Sequence, residues 1–315
     1  MKWWALFAAL SCASCASGLV PTRPAFLARP VPNASLQPAQ LRGAHAHAAR
    51  AAETECDRPN DVSNALALEG RFRACTDPEL SPQINHALDV LAGALRVFGP
   101  QSVFASFNGG KDAVVILHLL RAAVARHAAD ASEAAAAADA APDASGDPDS
   151  APSTPPSPRV IYFSHPDEFE EIIAFVQETE AACGLEMITY DCGLGEGLRQ
   201  CVAGENGAAL GFVLGTRSGD PNSVGQEAFS PSSSYMPPFM RVNPIIDWTY
   251  ENVWQFLRAF ALPYCSLYDD GYTSLGNKFN TERNPALQRP DGTYAPAHTL
   301  RDGAMERSGR GPSKP

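Results

Sequence analysis

An α/β fold with a parallel sheet flanked by helices is what this 315-residue chain predicts, on three observations. Short, wholly apolar runs such as Val160-Ile-Tyr-Phe163 have the composition of strands buried on both faces. Stretches with apolar residues at helical spacing lie between those runs. The first run, Val103 to Ser106, leads straight into Asn108-Gly-Gly-Lys111 and a helix opening at about Asp112. Such alternation places ligands at the carboxyl ends of the strands.

The elements follow in order. Ser81 and Pro82 supply an N-cap and a first-turn proline for a helix striped by Ile84, Leu88, Leu91, Leu95 and Phe98, and Gly99 stops it. The helix after the glycine turn, Ala113 to about His127, is apolar nearly all round and therefore deeply packed, with His118 a structural histidine. Val160 to Phe163 is the second strand, and Phe169, Ile172, Ile173 and Val176 mark the next helix. Met187 to Tyr190 is the third strand, Leu194 to about Val202 a short helix, and Phe212 to Leu214 the fourth strand. Phe239-Met-Arg-Val-Asn-Pro244 gives a last short strand, after a Pro/Ser-rich loop. Thr249 caps a helix carrying Val253, Phe256, Leu257 and Phe260 on one face, with Pro263 beyond its end. Trp254 reads as core, whereas Trp248 suits either the core or a stacking ring beside a nucleotide.

Composition sets the domain plan. Residues 1–52 read as a targeting presequence: Lys2 before the apolar run Trp3 to Leu10, small residues near Ser17, then Arg23, Arg29, Arg42 and Arg50 without an acid. A signal-like part followed by a transit-like part resembles the bipartite presequences of algae with secondary plastids, so a plastid is the expected compartment, with a mitochondrion or the secretory pathway as alternatives. Residues 53–80 read as a poorly ordered lead-in, and 81–315 as one catalytic domain. Within it, 128–158 collapses to Ala, Asp, Pro and Ser with six acids and no base, a disordered acidic insert. The net charge of -11 argues against a nucleic-acid partner, and no apolar run is long enough to span a bilayer. Of the eight cysteines, Cys12 and Cys15 form a C-x-x-C within the leader, Cys183, Cys192 and Cys201 stand singly with no histidine at ligand spacing, and all read as free thiols.

The glycine turn carries the chemistry. Two glycines let the backbone turn where a side chain would meet a ligand, and the first N–H groups of the helix face outward at the positive end of its dipole. With Lys111 added, this is an anion site suited to a nucleotide phosphate. The spacing does not fit G-x-x-x-x-G-K-[ST], because no glycine lies at the required distance before Gly109 and Asp112 replaces Ser or Thr. The charged loop Gly215-Thr-Arg-Ser-Gly-Asp-Pro221 follows another strand end, from which Arg217 and Asp220 can reach the same rim.

Ser106-Phe-Asn-Gly-Gly-Lys-Asp112 resembles the S-x-G-G-x-D loop of the ATP pyrophosphatases. Taken with Gly215-Thr-Arg-x-x-Asp-Pro221, Phe239-Met-Arg-Val-Asn-Pro244, Asp247-Trp-Thr-Tyr250, Pro263-Tyr-Cys-x-Leu-Tyr-Asp269, Gly271-Tyr-Thr-Ser-Leu-Gly276, Asn284-Pro-Ala-Leu287 and Glu306-Arg-x-x-Arg310, the chain is similar to the eukaryotic FAD synthases, the FMN adenylyltransferases. The resemblance implies a Rossmann-like sheet of the adenine-nucleotide α-hydrolase type. The implied reaction is ATP + FMN giving FAD + pyrophosphate, with Mg²⁺. It further implies that Ser106, Phe107, Asn108, Gly109, Gly110, Lys111 and Asp112 hold the ATP phosphates, with Tyr162 and Phe163 beside the adenine. Thr216, Arg217, Asp220, Ser233, Met236, Asn243 and Trp248 would line the FMN site. Asp112, Asp220, Arg307 and Arg310 would act on the reacting phosphates, with Asp112 and Asp220 as candidate metal ligands.

The chain departs from the family pattern at Ser233, where an acid is usual, at Met236, where a tryptophan is usual, and at Ser218, where a second basic residue is usual. Phosphoadenylyl-sulfate reductases share the loop but need a reactive cysteine near the C-terminus, and no cysteine follows Cys265. A tRNA-modifying pyrophosphatase would want a basic face and paired cysteines. A nucleotide- or flavin-binding module that has lost catalysis is the non-enzymatic alternative, motivated by Ser233 and Met236.

Overall fold

A computed structural model describes residues 62–139, 157–221 and 223–311. The presequence reading lies outside them. Six strands form one sheet: β1 (Val103–Ser106), β2 (Arg159–Phe163), β3 (Met187–Tyr190), β4 (Gly211–Val213), β5 (Phe229–Pro231) and β6 (Met240–Val242), in the order β3-β2-β1-β4-β6-β5. The predicted parallel sheet is present, with β1 paired to both β2 and β4, β2 to β3, and β4 to β6. Strand β5 runs antiparallel on the outer edge, opposite β6. It was not foreseen, because Ser230-Pro231 reads as loop; a proline is admitted here because an edge strand need not donate on both sides. The chain runs outward from β1 to β3 and then returns to lay β4 on β1's other side. That reversal brings the loops following β1 and β4 side by side at the carboxyl ends of the strands.

The helices are α1 (Val62–Arg73), α2 (Leu80–Phe98), α3 (Lys111–Asp139), α4 (Glu170–Cys183), α5 (Leu194–Gly204) and α6 (Tyr250–Ala259). Helix α1 overturns the expected lead-in: Leu68 and Phe72 are completely buried. Phe72 packs its ring 4.9 Å from Phe256 and 4.7 Å from Phe260. Helix α2 starts at Leu80, ahead of the predicted cap, because Asp77 Oδ1 accepts the amides of Glu79 (3.0 Å) and Leu80 (2.9 Å). Helix α3 overruns its predicted end by twelve residues, so the disordered-insert reading is corrected over 128–139. A helix already nucleated by a buried segment extends readily through alanines. Arg126 adds hydrogen bonds to Asp130 (2.6 Å) and Glu133 (2.8 Å) on that exposed extension. The rest of the insert, 140–156, lies outside the described residues.

Helix α6 has the capping box its sequence promises: Thr249 Oγ1 accepts from the Asn252 amide at 3.1 Å while Asn252 Oδ1 accepts from the Thr249 amide at 3.0 Å. Beyond α6 the chain forms short turns and one strap. Residues 306–311 run against 280–282, where Thr281 and Arg310 bridge antiparallel, the Glu282 amide donates to Gly309 O (2.8 Å) and the Gly311 amide to Asn280 O (3.0 Å). No described helix is long and apolar enough to cross a membrane.

Candidate active site

The loop after β1 is built from its own side chains. Phe107 is buried and its amide continues the sheet to Ile161 O at 2.9 Å. Gly109 has φ +71°, and a Cβ there would press within 3.0 Å of Ile172 Cγ2, so both conformation and space call for glycine. Asn108 is exposed and its Oδ1 accepts the Gly110 amide at 3.0 Å. The Lys111 amide donates to the Tyr268 hydroxyl at 2.8 Å. The loop after β4 closes against the same place: a Cβ on Gly215 would lie 3.0 Å from the backbone of Asp112.

Where the two loops meet, four ionised side chains form a closed cluster. Lys111 Nζ donates to Asp112 Oδ2 at 2.9 Å and also to Glu306 Oε1. Arg217 Nη2 donates to both Glu306 oxygens, at 2.8 and 2.6 Å. Arg217 Nε stands 2.8 Å from Asp112 Oδ1, a close ionic contact whose N–H is not aligned as a hydrogen bond. Lys111 also lies 5.3 Å from the Tyr250 ring and 6.0 Å from that of Tyr268. Two cations and two anions leave the cluster formally neutral. Burial works to raise the Asp112 pKa, but Lys111 and then Arg217 outweigh it and hold the carboxyl below its ordinary range. Burial opposes the charge on Arg217, yet Asp112 and Glu306 keep its pKa above the usual value.

This corrects the expected role of Lys111. Its side chain exposes almost nothing and its ammonium is turned inward to Asp112 and Glu306, so it joins loops and does not present charge to the solvent side. Asp220 likewise turns back: its Oδ2 accepts the Arg217 amide at 2.9 Å and fixes the loop that carries Arg217. Lys111, Asp112, Arg217 and Asp220 therefore do converge on one rim of the sheet.

The other expected site residues divide. Ser106, at the end of β1, and Thr216, in the loop after β4, are half-buried. Tyr162 is buried and its hydroxyl donates to Glu168. Phe163 stacks on Tyr190 at 5.8 Å and covers Gly197, where a Cβ would collide with the ring. Ser233 Oγ accepts from Arg241 Nη2 at 2.8 Å, and Met236 packs against the buried apolar group formed by Phe104, Ile161, Leu198 and Phe212. Asn243 is completely buried and donates to Glu227 O (2.9 Å) and Gln226 Oε1 (3.1 Å), which ties it to the loop before β5, while its Oδ1 has no partner among the described residues. Trp248 is in the core, edge-on to Phe256 at 5.4 Å, which closes its stacking alternative. Arg307 and Arg310 do not share a helix face; Gly303–Met305 is a single 3-10 turn, and the strap that follows is extended at Arg310. Arg307 is exposed, while Arg310 is half-buried, donating to Leu275 O at 2.6 Å with its guanidinium pressed on Gly276. Burial and then Arg307 lower the Arg310 pKa.

Glu306, Tyr268 and Tyr250 were not singled out as site residues. Glu306 meets Lys111 across 195 positions of sequence, and nothing local to Met305-Glu-Arg marks a buried acid. Asp112 and Asp220 do not form a metal seat. The oxygens of Asp112 face Lys111 and Arg217, and that of Asp220 holds an amide; the described residues contain no cluster of three His, Cys, Asp or Glu able to hold an ion.

Comparison with known proteins agrees with this architecture. The family model described as "Phosphoadenosine phosphosulfate reductase domain" matches residues 102–208 and 196–283. "Probable FAD synthase" of Schizosaccharomyces pombe is 33% identical over 236 residues, 75% of this chain and 82% of that one. "Probable FAD synthase" of Caenorhabditis elegans is 32% identical over 79% of this chain, which spans 44% of the nematode protein. The crystal structure of Candida glabrata FMN adenylyltransferase in complex with FAD and inorganic pyrophosphate superimposes with a TM-score of 0.68 at 20% identity, over 80% of this chain and 97% of that one. Fold, loop and relatives coincide: the chain belongs to the phosphoadenosine phosphosulfate reductase domain family, in the branch formed by the FAD synthases.

Proposed function

We propose that the protein is an FMN adenylyltransferase, joining ATP and FMN to give FAD and pyrophosphate. The observation that carries this reading is the junction of the loops after β1 and β4 at the carboxyl ends of the strands where the sheet order reverses, locked by Arg217 between Asp112 and Glu306. The S. pombe relative and the ligand-bound C. glabrata structure support the same assignment.

The FMN phosphate oxygen is ionised at neutral pH and attacks the α phosphorus of ATP directly, so no general base is needed. The P–O bond to the β phosphate breaks and its electron pair leaves with pyrophosphate. The barrier is the approach of a dianion to a polyanion and the charge gathered on the leaving group, which fixed donors and cations reduce by orientation and electrostatics. A phosphate oxygen competes with the exposed Asn108 carboxamide for the Gly110 amide. Arg307 and Arg310, two nearby cations without an acid between them, supply charge to the phosphates. Lys111, Asp112, Asp220 and Arg217 hold the two loops at fixed separation. The Mg²⁺ expected for ATP finds no carboxylate seat in Asp112, whose two oxygens face Lys111 and Arg217, and Asp220 Oδ2 is taken by the Arg217 amide. At the proposed flavin end, where the family pattern has an acid and a tryptophan, Ser233 and Met236 stand instead, and Ser233 with the Arg241 guanidinium offers a cationic, hydrogen-bonding edge.

Incubating the full chain with ATP, Mg²⁺ and FMN should yield FAD and pyrophosphate in equal amounts. FMN binding with no FAD would overturn the reading in favour of a flavin-binding module. We also propose residence in a plastid, which a fluorescent fusion to residues 1–61 would test; secretion of the fusion would contradict it.

A further inference from the structure

We propose that Glu306 is a positioning residue: its carboxylate latches the C-terminal strap onto the two loops of the site and thereby sets Arg310. This rests on the adenylyltransferase reading for Arg310 and deepens it.

An acid one residue from Arg307 and four from Arg310 is out of place in a site that must gather phosphates, since a carboxylate repels them. The geometry gives it another task. Glu306 is buried, and its two oxygens take three donated hydrogen bonds from Lys111, at the start of α3, and Arg217, after β4. Its charge is met by two buried cations, and the cluster stays neutral.

The rest of the strap is pinned to a different part of the chain. Thr273 Oγ1 donates to Glu306 O (2.6 Å), and Asn284 Nδ2 donates to Met305 O (2.8 Å). A Cβ on Gly309 would collide with Glu282 O, and one on Gly276 with the Arg310 guanidinium, so strap and support approach as closely as backbone allows. These contacts fix the strap to residues 273–284; the Glu306 carboxylate joins that assembly to the phosphate loop. Arg310 lies one turn further on, near enough to Tyr268, which bonds the Lys111 amide, to interact with it electrostatically.

The test uses the full chain. Glu306→Gln preserves the side-chain outline and removes the charge. Amide hydrogen exchange over residues 306–311 should accelerate in it, and ATP KM should rise about tenfold with kcat falling about tenfold. Because Glu306 acts through Arg310, Glu306→Gln added to Arg310→Ala should cost little beyond Arg310→Ala alone. Thr273→Val, which frees the strap while keeping the carboxylate, should give the same pattern at about threefold and serves if Glu306→Gln does not fold. Unchanged exchange in the variants would overturn the latch, and so would losses that multiply with that of Arg310→Ala. If the wild-type chain forms no FAD, the adenylyltransferase reading fails by itself, and the exchange measurement still decides the latch.

Discussion

Lys111 and Arg310 are both basic residues of the motifs by which the sequence resembles the FAD synthases, and the fold treats them oppositely. Lys111 is buried among two carboxylates and two tyrosine rings, whereas Arg310 is held only by carbonyl and hydroxyl oxygens, beside a second arginine. A cation already neutralised by protein has little left for a ligand and serves to join elements. A cation left beside another cation gains by meeting a polyanion. Motif membership alone does not separate these roles; burial and partners do.

The largest expected effect falls on the unneutralised side. On the proposed assignment Arg310→Ala should lower kcat by about 10³, because an arginine set against transferring phosphates acts on the transition state, while loss of its bond to Leu275 O should cost only about 1 kcal/mol of stability. Steady-state kinetics beside a melting curve would check both halves, and retention of full activity would contradict the assignment. Next comes the neutralised side. Arg217→Met leaves Asp112 and Glu306 buried against Lys111 alone and should cost about 3 kcal/mol of stability in denaturant unfolding; an unchanged midpoint would break the contrast.

A smaller effect concerns a charge the fold refuses. His118 is completely buried beside Arg121, and burial, then Arg121, push its pKa from 6.5 down to about 3. Between those values the unfolded chain binds a proton that the folded chain does not, so stability falls as pH drops through that window, at up to about 1.4 kcal/mol per pH unit. Above pH 6.5 this contribution is constant. His118→Gln should flatten the acid limb of a stability-against-pH curve, and an unaltered limb would show that His118 titrates normally.

Much of the fold was legible because it is local. Val103–Ser106 and Met187–Tyr190 match the strands read from apolar runs, and Thr249 caps α6 with Asn252 as partner. Helix α1 was also legible but unread: Ala65, Leu68 and Phe72 recur at helical spacing, hidden by a polar, acidic approach. The end of α3 was missed because an alanine-rich acidic run satisfies both a disordered composition and a helix already under way.

The rim itself was legible from Asn108-Gly-Gly-Lys111 and Gly215-Thr-Arg217, since both follow apolar strands. The partition of charge within it was not. It depends on Glu306 arriving from the far end of the chain, and on Asn243 and Trp248 turning inward, which only tertiary packing decides.

One comparison tests the division of labour most directly: FAD formation per folded molecule in Arg310→Ala and Lys111→Met, measured side by side with their unfolding curves. Arg310→Ala should fold and turn over about 10³ times more slowly, while Lys111→Met should lose stability with its folded fraction keeping substantial activity. The reverse pattern, a stable but inactive Lys111→Met beside an active Arg310→Ala, would contradict it.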